Sequence, residues 1–94
     1  MDIIFDPVKN ERNIKLRGLS FERVSDFDFE TAVFTIDTRR DYGEIRYRVQ
    51  GFLGKRLHSL IMTETPHGIR VISFRKANRR EIKAYEQATR PCID

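Results

Sequence analysis

The chain has 94 residues, 39% hydrophobic and 34% charged, with a formal net charge of +4 and an isoelectric point of about 9.6. That length predicts one domain spanning residues 1–94, whose seven phenylalanines can build a modest core without metal or disulfide, and whose basic balance favours a polyanionic or acidic partner. The single cysteine, Cys92, excludes an intramolecular disulfide; with no apolar run of membrane-spanning length and no basic-then-apolar leader, the composition predicts a cytoplasmic protein that engages no membrane.

Asp2–Phe5 reads as a short first strand. Asp6 then caps a helix that carries Pro7 in its first turn and runs to about Arg17, with Gly18 as the terminator. Its residues are mostly polar, which puts it on the surface. Ser20 opens a second, shorter helix whose Phe21, Val24 and Phe27 share one apolar face. Thr31–Asp37 reads as the next strand and Thr38–Gly43 as a polar turn. From Glu44 to Gln50 strict alternation predicts a half-buried strand, with Ile45, Tyr47 and Val49 inward and Glu44, Arg46, Arg48 and Gln50 on a charged face.

Gly51 and Gly54 punctuate the hairpin that follows, Lys55–Thr63 is apolar enough for a central strand, and Thr65–Gly68 is a tight turn. The last strand starts at Gly68 and turns at Lys76 and Ala77 into a helix, with Asn78 as N-cap and Glu81 placed to complete a capping box. Arg70, Arg75, Lys76, Arg79 and Arg80 cluster across this strand-to-helix unit and suggest a phosphate-handling surface. The element order predicts an α+β fold: an antiparallel sheet of about four to five strands with two N-terminal helices and one C-terminal helix.

Several chemistries lack their residues. There is no glycine-rich phosphate loop followed by Lys-Ser/Thr, no HExxH, no CxxC pair and no dinucleotide fingerprint. The fourteen acids are scattered, so neither a metal nor another cofactor is expected. His58 and His67 read as strand and turn residues, and Cys92 as an idle thiol.

An ordered series of short motifs covers nearly the whole chain. It comprises F-D-P-x-K-x-x-x-N at Phe5–Asn13, G-L-S-F-E at Gly18–Glu22, G-E-x-R at Gly43–Arg46 and R-x-I-S-x-R-x-A at Arg70–Ala77, followed by Glu81 and Tyr85. In this the chain resembles the BrnT toxins, the ribonuclease half of a bacterial type II toxin–antitoxin pair. It departs from them at Phe5, where relatives often carry Trp, and at Leu16-Arg17, where they commonly carry Lys-His. The resemblance implies a RelE-like fold, an RNA substrate and a cognate BrnA-like ribbon-helix-helix antitoxin, with promoter DNA bound only through the antitoxin complex.

Metal-independent RNA cleavage needs a base for the 2′-hydroxyl, cations for the charge on phosphorus and an acid for the leaving 5′-oxygen. Glu44 is the candidate base, with Arg46, Arg70 and Arg75 as charge stabilisers. Regular alternation sets Arg75 and Ser73 on one face of the last strand and Arg70 on the other, unless a bulge intervenes. Lys9, Arg48, Ser73, Lys76 and Arg79 are candidate RNA contacts and Tyr42 a base-stacking candidate, whereas Tyr47 and Tyr85 fall on apolar faces. The competing function is a non-catalytic basic module that docks an acidic protein or nucleic acid.

Overall fold

Two tight turns lay the C-terminal half down as a meander of β3 (Tyr47–Leu53), β4 (Arg56–Thr65) and β5 (Gly68–Lys76). Gly54 takes the left-handed conformation (φ 62°) that the first turn requires. β2 (Val33–Ile36) joins antiparallel to β3, and β1 (Asp2–Phe5) joins parallel to β5, giving the sheet order β1-β5-β4-β3-β2. The missing side chain of Gly68 lets β1 approach, since a Cβ there would collide with the backbone of Asp2. The computed structural model describes residues 1–91, and the Cys92 reading lies outside them.

One face of the sheet is the dry one. Leu19, Phe21, Val24 and Phe27 lie over Val49, Leu60, Met62, Ile69, Val71 and Phe74, all buried. Phe21, Val24 and Phe27 step by three because Phe21–Asp26 is a 3-10 helix, in which residues three apart eclipse one another. Gly51 lies beneath the Phe27 ring, where a Cβ would come within 2.6 Å of the ring edge.

α1 (Pro7–Arg17) begins at an Asp6 cap and ends at Gly18 with φ 65°. It buries no apolar residue and docks through two asparagines instead. Asn13 Nδ2 donates to the carbonyls of Leu19 and Phe74, both at 2.9 Å, and Asn10 Oδ1 accepts from the Phe21 amide at 2.7 Å. The helix thereby closes the edge of β5 that β1 leaves open, satisfying a backbone group that would otherwise be stranded. α2 (Arg79–Thr89) starts in a complete capping box, Asn78 with Glu81, and packs on the opposite face of the sheet. There Tyr85 meets Phe52 edge to face at 5.5 Å and donates its hydroxyl to the Thr31 carbonyl.

The α+β class and the order of elements agree with the sequence reading, but three expectations are corrected. The sheet is mixed, because β1 runs parallel to β5. The second N-terminal helix is a single 3-10 segment. β3 starts at Tyr47 and runs through Gly51, so Glu44, Ile45 and Arg46 belong to the connection before it.

Candidate functional site

β5 contains a bulge that the sequence pattern hides. Ser73 pairs with Ile61 and Val71 with Met62, which leaves Ile72 without a counterpart on β4. The strand's alternation therefore shifts by one. Arg70 pairs with Thr63 and Arg75 with Ser59, four positions apart on β4, so both arginines and Ser73 project from one face. Arg48 and Gln50 of β3 lie opposite Ile61 and Ser59, on that same face. The expectation that Arg70 points away from Arg75 is thus overturned by one extra residue.

Along this face the candidate residues form two centres, about 13 Å apart at strand spacing. In the first, the Glu44 carboxylate accepts from Arg46 Nε at 3.0 Å and from an Arg70 guanidinium nitrogen at 2.6 Å. Those two contacts, Arg46 first, hold the Glu44 carboxyl below the usual glutamate range. The connection from Asp37 to Arg46 positions the group. Asp37 is buried and takes two hydrogen bonds from the Arg39 guanidinium, at 2.9 and 2.7 Å, and one from the Tyr42 hydroxyl at 3.1 Å. These bonds, led by Arg39, depress its pKa strongly. The Tyr42 ring lies under the Arg46 guanidinium at 4.1 Å, so one of its faces is already covered by a cation. Thr63 Oγ1 donates to the Ile45 carbonyl at 2.7 Å and pins the connection to the sheet beside Arg70.

The second centre is Arg75. Its guanidinium grips Glu81 bidentately at 2.8 and 3.0 Å, and Glu81 also accepts from the Asn78 amide at 2.9 Å. The Arg75 contact, ahead of the cap bond, lowers the Glu81 pKa to about 2. Arg48, Gln50, Arg75, Arg80 and Tyr85 line a groove of about 470 Å³ between β3 and α2. Of the α2 arginines, Arg80 and not Arg79 reaches this groove; Arg79 is exposed in the helix's first turn.

The remaining candidates sit around the β5 edge. Lys9, Arg12 and Arg17 of α1 line a cavity of about 150 Å³ with Ile72 and Ser73. Arg17, His58, Arg75 and Lys76 line a neighbouring one of about 370 Å³. His58 is buried with its ring 5.3 Å from that of Phe74, its Nδ1–H donates to the Arg56 carbonyl at 2.8 Å, and burial lowers its pKa, so it is a neutral imidazole at pH 7. Tyr47 packs against the dry core.

Sequence reasoning missed Asp37 as the anchor of the connection, Gln50 as a groove residue and Glu81 as the partner of Arg75. Only Glu81 carried a signal, its capping-box spacing, and that spacing says nothing of the strand it reaches. Among the described residues no three His, Cys, Asp or Glu side chains come together so as to hold a metal ion. No helix among them is long and apolar enough to cross a membrane.

Residues 5–81 match the model of the family described as ribonuclease toxin, BrnT, of type II toxin–antitoxin system. No curated protein and no solved structure matches the chain. The matched span takes in α1, the connection that carries Glu44, all of β5 and the Asn78–Glu81 cap.

Proposed function

From the premise that the chain belongs to the BrnT family of ribonuclease toxins of type II toxin–antitoxin systems, we propose that it is an endoribonuclease that cleaves RNA through the substrate's own 2′-hydroxyl, without a metal. The observation that carries this reading is the bulge at Ile72, which gathers Arg70, Ser73 and Arg75 with Arg48 on one half-buried sheet face.

In the proposed reaction the 2′-oxygen attacks the adjacent phosphorus, the bond from phosphorus to the 5′-oxygen breaks, and the products carry a 2′,3′-cyclic phosphate and a 5′-hydroxyl. Arg46 and Arg70 hold the reacting phosphate and stabilise the charge that builds on its oxygens. Glu44 takes the 2′-proton, and the departing 5′-oxygen takes a proton from solvent water. In the free protein Glu44 is a poor base, because both arginines stabilise its ionised form. A phosphate that engages Arg46 and Arg70 releases Glu44 from them, which raises its pKa toward the range a general base needs. Arg75, held by Glu81, contacts a second phosphate further along the strand, and Lys9 and Lys76 extend the cationic track over the β5 edge.

The test is incubation of purified protein with end-labelled single-stranded RNA in EDTA. Cleavage that leaves cyclic-phosphate ends, and binding that weakens steeply with salt, is the expected result. Activity that EDTA abolishes and Mg²⁺ restores sinks the mechanism, and no cleavage of any RNA sinks the activity. The partner we propose is a ribbon-helix-helix antitoxin with an acidic amphipathic segment that covers the arginine face, the pair and not the toxin alone binding promoter DNA. Co-expression of the chain with the product of the neighbouring gene, followed by gel filtration at micromolar concentration, yields one complex if this holds and two separate species if it does not.

A further inference from the structure

The cavity of about 370 Å³ at the β5 edge holds a polar atom that the proposed reaction does not use. His58 is buried, only 4% exposed, near the start of β4 and opposite Lys76. Its Nδ1–H is committed to the Arg56 carbonyl, a group that only accepts, so the tautomer is set and Nε2 carries a free lone pair. The ring cannot turn over without losing that bond. Nε2 has no partner of its own. Among the described residues the unbonded side-chain atoms closed to solvent are Arg48 Nε and Gln50 Oε1, so Nε2 stays open to the cavity that His58 lines. Burial first, then the charges of Arg56, Lys76 and Arg23, disfavour protonation, and the imidazole is a neutral acceptor at pH 7. Arg17, held by Asn13 Oδ1 at 2.7 Å, and Lys76 line the same cavity, with Gly18 and Leu19 beside them.

An acceptor set among cations restricts the ligand. A phosphate or carboxylate alone suits Arg17 and Lys76 but turns an anionic oxygen toward the Nε2 lone pair. A hydrocarbon leaves Nε2 without a donor and strips water from two charges. An anion with a hydroxyl beside it serves all three groups. RNA carries that combination at every linked nucleotide, its 2′-hydroxyl next to the 3′-phosphate, and DNA lacks the donor. We propose that this cavity is a ribose-reading subsite, in which Arg17 and Lys76 take one phosphate of the strand and His58 Nε2 accepts a hydrogen bond from the adjoining 2′-hydroxyl. It is not the place of the cut: Thr63, which pins the Glu44 connection, stands five positions from His58 on β4, about 17 Å at strand spacing. The subsite rests on the reading of the chain as an RNA-cleaving toxin and gives it a means of favouring RNA over DNA away from the scissile bond.

The experiment reads binding apart from cleavage. Fluorescein-labelled octauridylates with 2′-amino, 2′-fluoro or 2′-deoxy sugars are titrated against the protein at pH 7. None has the attacking hydroxyl, so none is cut, and only the amino sugar keeps a donor. Wild type binds the amino octamer about fivefold more tightly than the other two, the size of one neutral hydrogen bond. His58→Phe, which keeps a ring against Phe74, brings the three to within about twofold of one another, while binding still weakens with salt. Lys76→Ala weakens all three alike. Nitrogen NMR of the wild-type protein reads the contact without any substitution. The amino octamer moves the His58 Nε2 resonance, the fluoro octamer does not, and the exposed His67 is the control. Equal affinity of wild type for the three octamers, a preference that survives in His58→Phe, or movement of Nε2 by all three alike overturns the subsite. So does movement of Nε2 by an acidic decapeptide and by no octamer, which assigns the cavity to a protein ligand. Cleavage of unmodified RNA by the same wild-type preparation is scored in parallel. Cleavage without sugar discrimination removes the subsite alone, discrimination without cleavage removes the catalytic reading alone, and the loss of binding and cleavage together removes both.

Discussion

Glu44 and Glu81 are both glutamates gripped by arginine on one face of one sheet, yet they are built differently. Glu44 sits on a connection, shared between two arginines whose side chains are 25% and 41% exposed, and its own side chain is 30% exposed. Glu81 sits in the first turn of a helix, 13% exposed, bound bidentately to Arg75 and to the backbone of its own cap. Exposed pairs gain little from their attraction, because water and salt screen it and long side chains lose freedom in making it. The first centre can therefore exchange its carboxylate for a phosphate at small cost. The second ties α2 to β5, and its loss is felt by the fold. Like residues on one face can thus be tied to the fold to different degrees, according to how far their carboxylates are buried.

Substitution is the strongest way to break this contrast. Arg46→Ala and Arg70→Ala should slow RNA cleavage by about a hundredfold or more, while stability falls by no more than about 1 kcal/mol, as for partly exposed ion pairs. Parallel measurement of cleavage rate and melting temperature checks both halves. An activity loss that merely follows a lowered melting temperature would make the first centre architectural as well.

Glu81→Gln should do the reverse. Breaking the Arg75 grip while keeping the side chain's size should cost about 1–2 kcal/mol, below the fully buried case because Arg75 is partly exposed. That corresponds to a fall of several degrees in the melting temperature of a domain this size.

Acid titration sharpens the same point. The Glu81 carboxyl titrates at about 2 in the folded chain against an ordinary value of 4.5. Its folded pKa is depressed, so its contribution to stability is complete above about 4.5 and disappears as pH falls through about 2. The wild-type melting temperature should decline across that window, and Glu81→Gln should flatten the decline. An unchanged acid limb in the variant would assign the acid sensitivity to another group.

The smallest effect is expected at Tyr42. Tyr42→Phe removes the bond to Asp37 but leaves the ring under Arg46, so stability should fall by about 1 kcal/mol or less and cleavage should change only a few-fold. A collapse of activity in this variant, followed by the same cleavage assay, would give the hydroxyl itself a part in the chemistry.

What could be read from the sequence was local. Asp6, Gly18, Ser20 and the Asn78–Glu81 box mark their helix ends through residues within four positions, and each does so in the structure. The tight turns were equally plain. What was hidden depends on partners far along the chain. Ile72 is apolar and suits either face of a strand, so nothing in the pattern marks it as the bulge that turns Arg70 toward Arg75. Asp2–Phe5 reads as a strand, but its parallel seat on β5 is set by Gly68, far along the chain. Glu44 and Arg46 were expected side by side on a strand. They do meet, but across a connection organised by Asp37, whose bonds to Arg39 and Tyr42 follow no period.

The seat of β1 also sets an order of events in the life of the chain. Asp2–Phe5 is synthesised well before its partner, and it stays unpaired until Gly68–Val71 has been made. At about 5–20 residues per second that wait lasts several seconds. α1 is held back with it, because Asn13 must find the carbonyl of Phe74. Arg70 and Arg75 ride on that same late strand. A nascent chain therefore carries no assembled arginine face while most of it is still being translated, and the finished surface arises only once the last strand has left the ribosome.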